Sequence, residues 1–273
     1  MQTKKFTITI EVVPPACPDA GALLSTLQSL NALPIDGFSV ATNPVAKPRM
    51  SAMALCTLIQ QKTDRPAILH CTTRDHNRLS LQALLWGAVA LGIESVLAST
   101  GDFVAFEDRS KTTEVRDADV FDLVNMARKA DLRTGVVLDP HPETKGLKQA
   151  VVRLRKKIEA GAQFAVTQPI YDDAAADELA EAVRHTGIPV VMGILPLRSP
   201  RHAEFLHRKV AGIAVPRAIR DRMRRAENPV AEGNQNAIEV LRLARERFAG
   251  ACVMPPFDRY EILTDMLLEN PKC

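Results

Sequence analysis

The residues of this chain best equipped for chemistry recur just past short apolar runs. Glu11 ends Thr7-Ile8-Thr9-Ile10 and is followed by Val12-Val13-Pro14-Pro15. His70 ends Ala67-Ile68-Leu69, and Thr100-Gly101-Asp102 follows Ser95 to Ser99. Asp139 and His141 come after Val136-Val137-Leu138, Gln168 after Phe164 to Thr167, and Arg259 after Met254-Pro255-Pro256. Thr42-Asn43 closes a further apolar run. A carboxylate at the mouth of an apolar strand must be solvated, paired or used. Carboxylates, histidines and an amide together supply the proton donors and acceptors of acid–base chemistry.

The elements that must position these groups alternate. Strand patterns are expected over 7–13, 37–42, 67–72, 95–99, 134–138, 164–167, 190–195 and 250–254. Alternating Thr and Ile give the first its strand character, and two prolines forbid further pairing. Helical patterns cover 19–31, 48–61, 77–91, 120–130, 146–160, 173–185, 200–210, 216–226, 231–248 and 260–268, with an irregular polar stretch at 102–117. Eight strand–helix units in about 250 residues predict a single α/β domain, a closed (β/α)8 TIM barrel. A doubly wound open sheet is the alternative, but a dinucleotide site of that type wants GxGxxG after the first strand, where this chain has EVVPP. In a barrel the C-terminal strand ends share one rim, so the fold itself would bring the polar residues together.

Composition narrows the function classes. Across 273 residues the apolar fraction is 46% and the net charge +3, which is ample for a large core and too small to argue for nucleic acid. Basic residues cluster at 153–157 and 217–225 and read as solvated helix faces, and one Trp with two Tyr makes a base-stacking surface a poor expectation. Five cysteines at 17, 56, 71, 252 and 273 never form CxxC, which argues for reduced thiols and against a metal cluster. No signal-peptide core or membrane-length apolar stretch is present in the sequence, so a cytoplasmic protein is expected.

Longer segments carry a resemblance. IEVVPP, FSVATNP, HCTTRDHNRLSLQALLWGAVALGIESVLASTGD, RLRKKIEAGAQFAVTQPIYD, GILPL and MPPFDRYE stand in the order and spacing of methylenetetrahydrofolate reductases, over about residues 7–268. The chain resembles a short, reductase-only form, similar to the module fused to homocysteine methyltransferases. That resemblance implies a flavin enzyme using FAD, with NADH or NADPH as donor. Its reaction would be reversible hydride transfer to 5,10-methylenetetrahydrofolate, giving 5-methyltetrahydrofolate. It implies Glu11 as general acid, Asp102 between flavin and pterin, and Gln168 against the folate ring. Thr42, His70, Thr100, Gly101 and His141 would line the flavin, Lys156 and Lys157 would approach its phosphate–ribose tail, and Arg259 would meet the benzoyl-glutamate end of folate.

The chain also departs from the pattern. Val137 stands where relatives have a tyrosine, Ala150 and Arg153 replace a carboxylate and an amide near the flavin tail, and Pro200 replaces an aromatic residue that stacks on nicotinamide. These departures bear on FAD affinity and on the electron donor. Two rival readings stay open: an enzyme working mainly as a methyltetrahydrofolate oxidase, and a folate-binding subunit reduced by a partner protein. The sequence sets neither the direction of reaction nor whether the chain forms a homo-oligomer.

Overall fold

The computed structural model describes residues 5–140 and 146–268. Eight parallel strands close in chain order into a barrel: β1 Thr7–Val12, β2 Gly37–Val40, β3 Ala67–Thr72, β4 Ser95–Ser99, β5 Arg133–Leu138, β6 Phe164–Pro169, β7 Val190–Ile194 and β8 Gly250–Val253. β1 pairs with both β2 and β8, which completes the ring. The helices are α1 Gly21–Ser29, α2 Ala52–Thr63, α3 Arg78–Ala90, α4 Val120–Lys129, α5 Gly146–Glu159, α6 Asp173–Val183, α7 Pro200–Lys209, α8 Arg217–Arg225, α9 Pro229–Arg247 and α10 Ile262–Leu268. The expected (β/α)8 barrel is therefore the observed fold.

Helix starts follow local chemistry. Ser51, Asn77, Asp172, Ser199 and Asn228 each accept a backbone N–H from the first turn of α2, α3, α6, α7 and α9. Asp119 and Asp122 form a reciprocal capping box at α4. One start moves from its expected place. α2 begins at Ala52 instead of just after Pro48, because Asn43, Val45 and Ala46 turn left-handed and the chain enters the helix only at the Ser51 cap. β6 runs on to Pro169, with a register shift against β7 between Val166 and Pro169.

Two apolar layers result. The main core lies between the strands and the helices, and includes Ile8, Ile10 and Val12 from β1. A smaller cluster of Leu97, Phe164, Val166 and Cys252, packed with Ile68, Val137, Val191 and Met254, plugs the barrel interior. Register makes the plug possible. Gly135 is paired with Phe164 on the neighbouring strand, and a Cβ on Gly135 would lie 2.2 Å from the Phe164 ring. The glycine is the space that the ring occupies.

A third cluster joins Tyr171, just past β6, to Leu197, Leu206, Val215, Met223 and neighbours on α7 and α8. Three of the five arginines of α8 are spent within the fold. Arg220 pairs with Glu204 at 3.0 Å, and Arg222 pairs with Glu232 at 2.6 Å and Glu239 at 3.0 Å. Arg224 pairs with Glu204 and Asp221. The basic stretch at 217–225 thus serves mainly to tie α7, α8 and α9 together. Among the described residues no helix is long and apolar enough to cross a membrane.

Gly135→Ala is expected to destabilise the protein by about 1–3 kcal/mol, the usual cost of overpacking a filled interior. Combining it with Phe164→Leu should recover part of that loss in urea melts, because the two changes compete for one space. Strictly additive losses would disprove that competition.

Candidate active site

A cavity of about 620 Å³ opens at the C-terminal ends of the strands. Glu11, Thr42, His70, Thr100, Gly101, Asp102, Lys157 and Gln168 all line it. The rim convergence expected from the fold therefore holds for the seven at strand ends and for Asp139, while Lys157 joins them from α5. Lys156 is exposed on α5 and Arg259 is exposed with its guanidinium on Glu261 at 3.3 Å, and neither lines the cavity. On α5 the neighbouring Lys157 is the lysine turned inward, while Lys156 falls on the solvent side of the helix. His141 lies outside the described residues.

The floor of the cavity is apolar. Leu97, Val137, Val166 and Met254 of the barrel plug also line it. Burial above that plug raises the Glu11 carboxyl from an ordinary 4.5 to about 7, and the negative charge of Asp102 adds to the rise. Burial lowers His70 from 6.5 to about 4, so its ring is neutral at physiological pH. Its Nε2 meets Ser39 Oγ at 2.7 Å, and Thr42 Oγ1 donates to the His70 carbonyl. Ser39 was not singled out from the sequence. The signal for it was register, since β2 pairs Ser39 with Glu11.

The rim is built by loops. Asp102 is exposed, and its Oδ2 accepts the Val45 N–H at 2.6 Å. Val45 donates from a left-handed backbone at φ 50°, a rare state for a β-branched residue. Gln168 arrives through the β6 irregularity. There Thr167 Oγ1 donates to the Gln168 carbonyl at 2.7 Å and accepts the Gly193 N–H at 2.9 Å, replacing a regular ladder bond.

The far end holds a buried cation. Lys157 Nζ donates to the Val137 carbonyl at 2.6 Å. Burial pulls its pKa down to about 8, the like charge of Arg153 adds to the fall, and Asp139 partly offsets it. Between the two ends run apolar side chains, among them Leu154, Leu195, Leu206, Val210 and Ile213. A protonatable acid, a carboxylate and an amide at one end, with apolar walls leading to a desolvated cation, fit a long ligand with a polar flat ring and an anionic tail. FAD has that chemistry. The departures Val137, Ala150 and Arg153 all sit in the cavity wall, whereas Pro200 starts α7 and does not line the cavity.

Comparison with known proteins agrees with this geometry. A family model described as methylenetetrahydrofolate reductase matches residues 1–247. The 5,10-methylenetetrahydrofolate reductase of Pectobacterium carotovorum subsp. carotovorum is 26% identical over 196 residues, covering 71% of this chain and 65% of that protein. The one from Buchnera aphidicola subsp. Acyrthosiphon pisum is 28% identical over 180 residues, 64% of this chain and 60% of that protein. The matches thus span less than two thirds of either relative. A Clostridium thermocellum protein solved with two copies of 5-methyl-5,6,7,8-tetrahydrofolic acid superposes with a TM-score of 0.68 at 14% identity, over 97% of this chain and 95% of that one. At that identity the likeness establishes the fold.

The raised pKa of Glu11 has a stability consequence with a definite sign. Below about pH 4.5 the carboxyl is protonated folded and unfolded alike. Between 4.5 and about 7 the unfolded chain releases the proton while the folded protein keeps it, so stability falls as pH rises and levels off above 7. The full loss is about 3 kcal/mol. Glu11→Gln cannot ionise and escapes it. Relative to wild type, the variant should therefore gain about 5–10 °C in melting temperature between pH 5 and pH 8. A melting difference that does not change with pH would place Glu11 in water.

Proposed function

The chain belongs to the methylenetetrahydrofolate reductase family, and we propose that it catalyses hydride transfer from NADH or NADPH to 5,10-methylenetetrahydrofolate, forming 5-methyltetrahydrofolate. The observation that carries this reading is Glu11, a buried acid with a pKa of about 7 beside Asp102, on the face of the barrel where catalysis is built. Bound FAD would supply the hydride relay between nicotinamide and folate. Thr42, His70, Thr100 and Gly101 would hold its ring portion, and Lys157 with Arg153 its anionic tail. Exposed Lys156 would serve only from outside the cavity.

The chain's own residues supply the rest. Opening the five-membered ring of methylenetetrahydrofolate requires a proton on a ring nitrogen. At neutral pH a fully solvated glutamate would have lost its proton; in the dry floor Glu11 keeps it on a carboxyl oxygen about half the time. Gln168 can both donate to and accept from a pterin edge, and the Asp102 carboxylate accepts from the ring N–H groups. The neutral imidazole of His70, held by Ser39, adds no competing positive charge beside the acid. Arg259 would need to leave Glu261 to reach the glutamate end of folate.

Glu11→Gln keeps shape and hydrogen bonding but has no proton to give. It should lower NADH-dependent reduction of methylenetetrahydrofolate by roughly two orders of magnitude, the scale of a lost general acid, while NADH oxidation by menadione persists. Equal loss in both assays would make Glu11 structural, and no loss in either would move the acid elsewhere. Wild-type protein that binds FAD but does not oxidise NADH or NADPH with menadione would instead favour a subunit reduced by a partner. Asp102→Asn should slow folate reduction roughly tenfold, about 1.4 kcal/mol of barrier. Unchanged folate kinetics would leave Asp102 as a turn residue.

A further inference from the structure

Arg74 lies just past β3 in the sequence TTRDHN, and its side chain is only 5% exposed. A guanidinium that deep in a loop region must have its charge and its donors met. Asp75 meets the charge in a two-pronged pair, accepting from Nε at 2.6 Å and from Nη2 at 2.7 Å. The remaining bonds leave the β3 loop altogether. Nη1 donates to the backbone carbonyl of Asp102 at 2.9 Å, and Nη2 donates to the backbone carbonyl of Asn43 at 3.2 Å. One side chain therefore joins the loops that follow β2, β3 and β4.

What those loops carry gives the junction its meaning. The Asn43 carbonyl opens the left-handed turn whose Val45 N–H holds the Asp102 carboxylate. Asn43 is fixed twice more, with its amide donating to Asp75 at 3.2 Å and its side-chain oxygen accepting the Arg49 N–H at 3.0 Å. On the other side, Gly101 passes so close to Arg74 that a Cβ there would lie 3.2 Å from the Arg74 Cβ. Both the carboxylate and the N–H that clasps it hang from the same guanidinium. A left-handed valine persists only where its surroundings over-determine it, and the Arg74–Asp75–Asn43 network is what surrounds it.

We infer that Arg74 is a positioning residue for the site: it sets where the Asp102 carboxylate stands over the cavity, and through it the affinity for a pterin ring. The inference deepens the proposed function and rests on it for the identity of the ligand. Lysine cannot replace Arg74, because a point charge can pair with Asp75 but cannot also reach two carbonyls lying in different directions. Charge alone is not what the position requires.

The test uses the full-length protein with Arg74→Lys and Arg74→Gln, and three readouts. They are exchange of the Val45 amide by NMR without ligand, calorimetric binding of 5-methyltetrahydrofolate, and the KM for NADH. In folded variants, Val45 exchange should rise and folate affinity fall by roughly tenfold each, while KM for NADH stays within about twofold. Arg74→Lys should rescue little of the Arg74→Gln loss. Wild-type protection of Val45 with wild-type folate affinity in Arg74→Lys overturns the inference. A uniform loss of both ligands with a collapsed melting temperature does so too, since it would make Arg74 a fold residue only. If the wild-type protein fails to bind the folate, the functional reading fails instead. Val45 exchange then decides the positioning role alone, and protection retained in Arg74→Lys overturns it.

Discussion

Everything at this site depends on the dryness of the barrel interior. Eight parallel strands turn alternate side chains inward, and Leu97, Phe164, Val166 and Cys252 fill the resulting space with apolar volume. Groups placed just above that plug lose most of their water. For an acid and a base the same loss acts in opposite directions, raising Glu11 and lowering His70 until both favour their neutral forms. Burial is the larger cause of the rise at Glu11, and the negative charge of Asp102 adds to it. Widening the interior or admitting water would return both groups to ordinary values without touching either.

The rim obeys the contrary rule. Asp102 and the turn at Asn43–Ala46 sit in loops where water is close and desolvation cannot hold a charge in place. Position there comes from hydrogen bonds that cross between loops, two of them donated by Arg74 and one by the Val45 N–H. The Arg74–Asp75 pair is buried enough that its geometry cannot be exchanged cheaply, unlike the exposed Arg217–Asp221 pair of α8. The site thus joins a floor fixed by packing to a rim fixed by directed bonds.

Much of this was legible in the sequence, and the reasons it was or was not are physical. The barrel followed from eight apolar runs spaced by helices, because strand and helix periods are local properties. Asp119 and Asn77, which cap their own first turns, stand at or next to the expected starts of their helices. The convergence of Glu11, His70, Asp102 and Gln168 followed from the fold. Ser39 did not, since only pairing of β1 with β2 sets it beside Glu11. Arg74 did not, since RDHN reads as a polar helix start until the two loops that it bonds are placed. On α5, RLRKK offers five residues of which periodicity alone cannot choose the inward lysine; packing against β5 chooses Lys157.

The two ends of the cavity are consequences of one cause. Burial leaves Glu11 holding a proton that it would lose in water, and leaves Lys157 close to losing one that it would keep. A bare carbonyl from Val137 accepts one N–H of the Lys157 ammonium, and the Asp139 carboxylate offsets its charge only in part. An anionic group beside it would restore that balance, whereas the floor around Glu11 gains nothing from an anion and already carries the field of Asp102. A ligand with a negatively charged tail would therefore be drawn to the Lys157 end. Its flat, uncharged portion would then be left for the apolar floor where the acid stands.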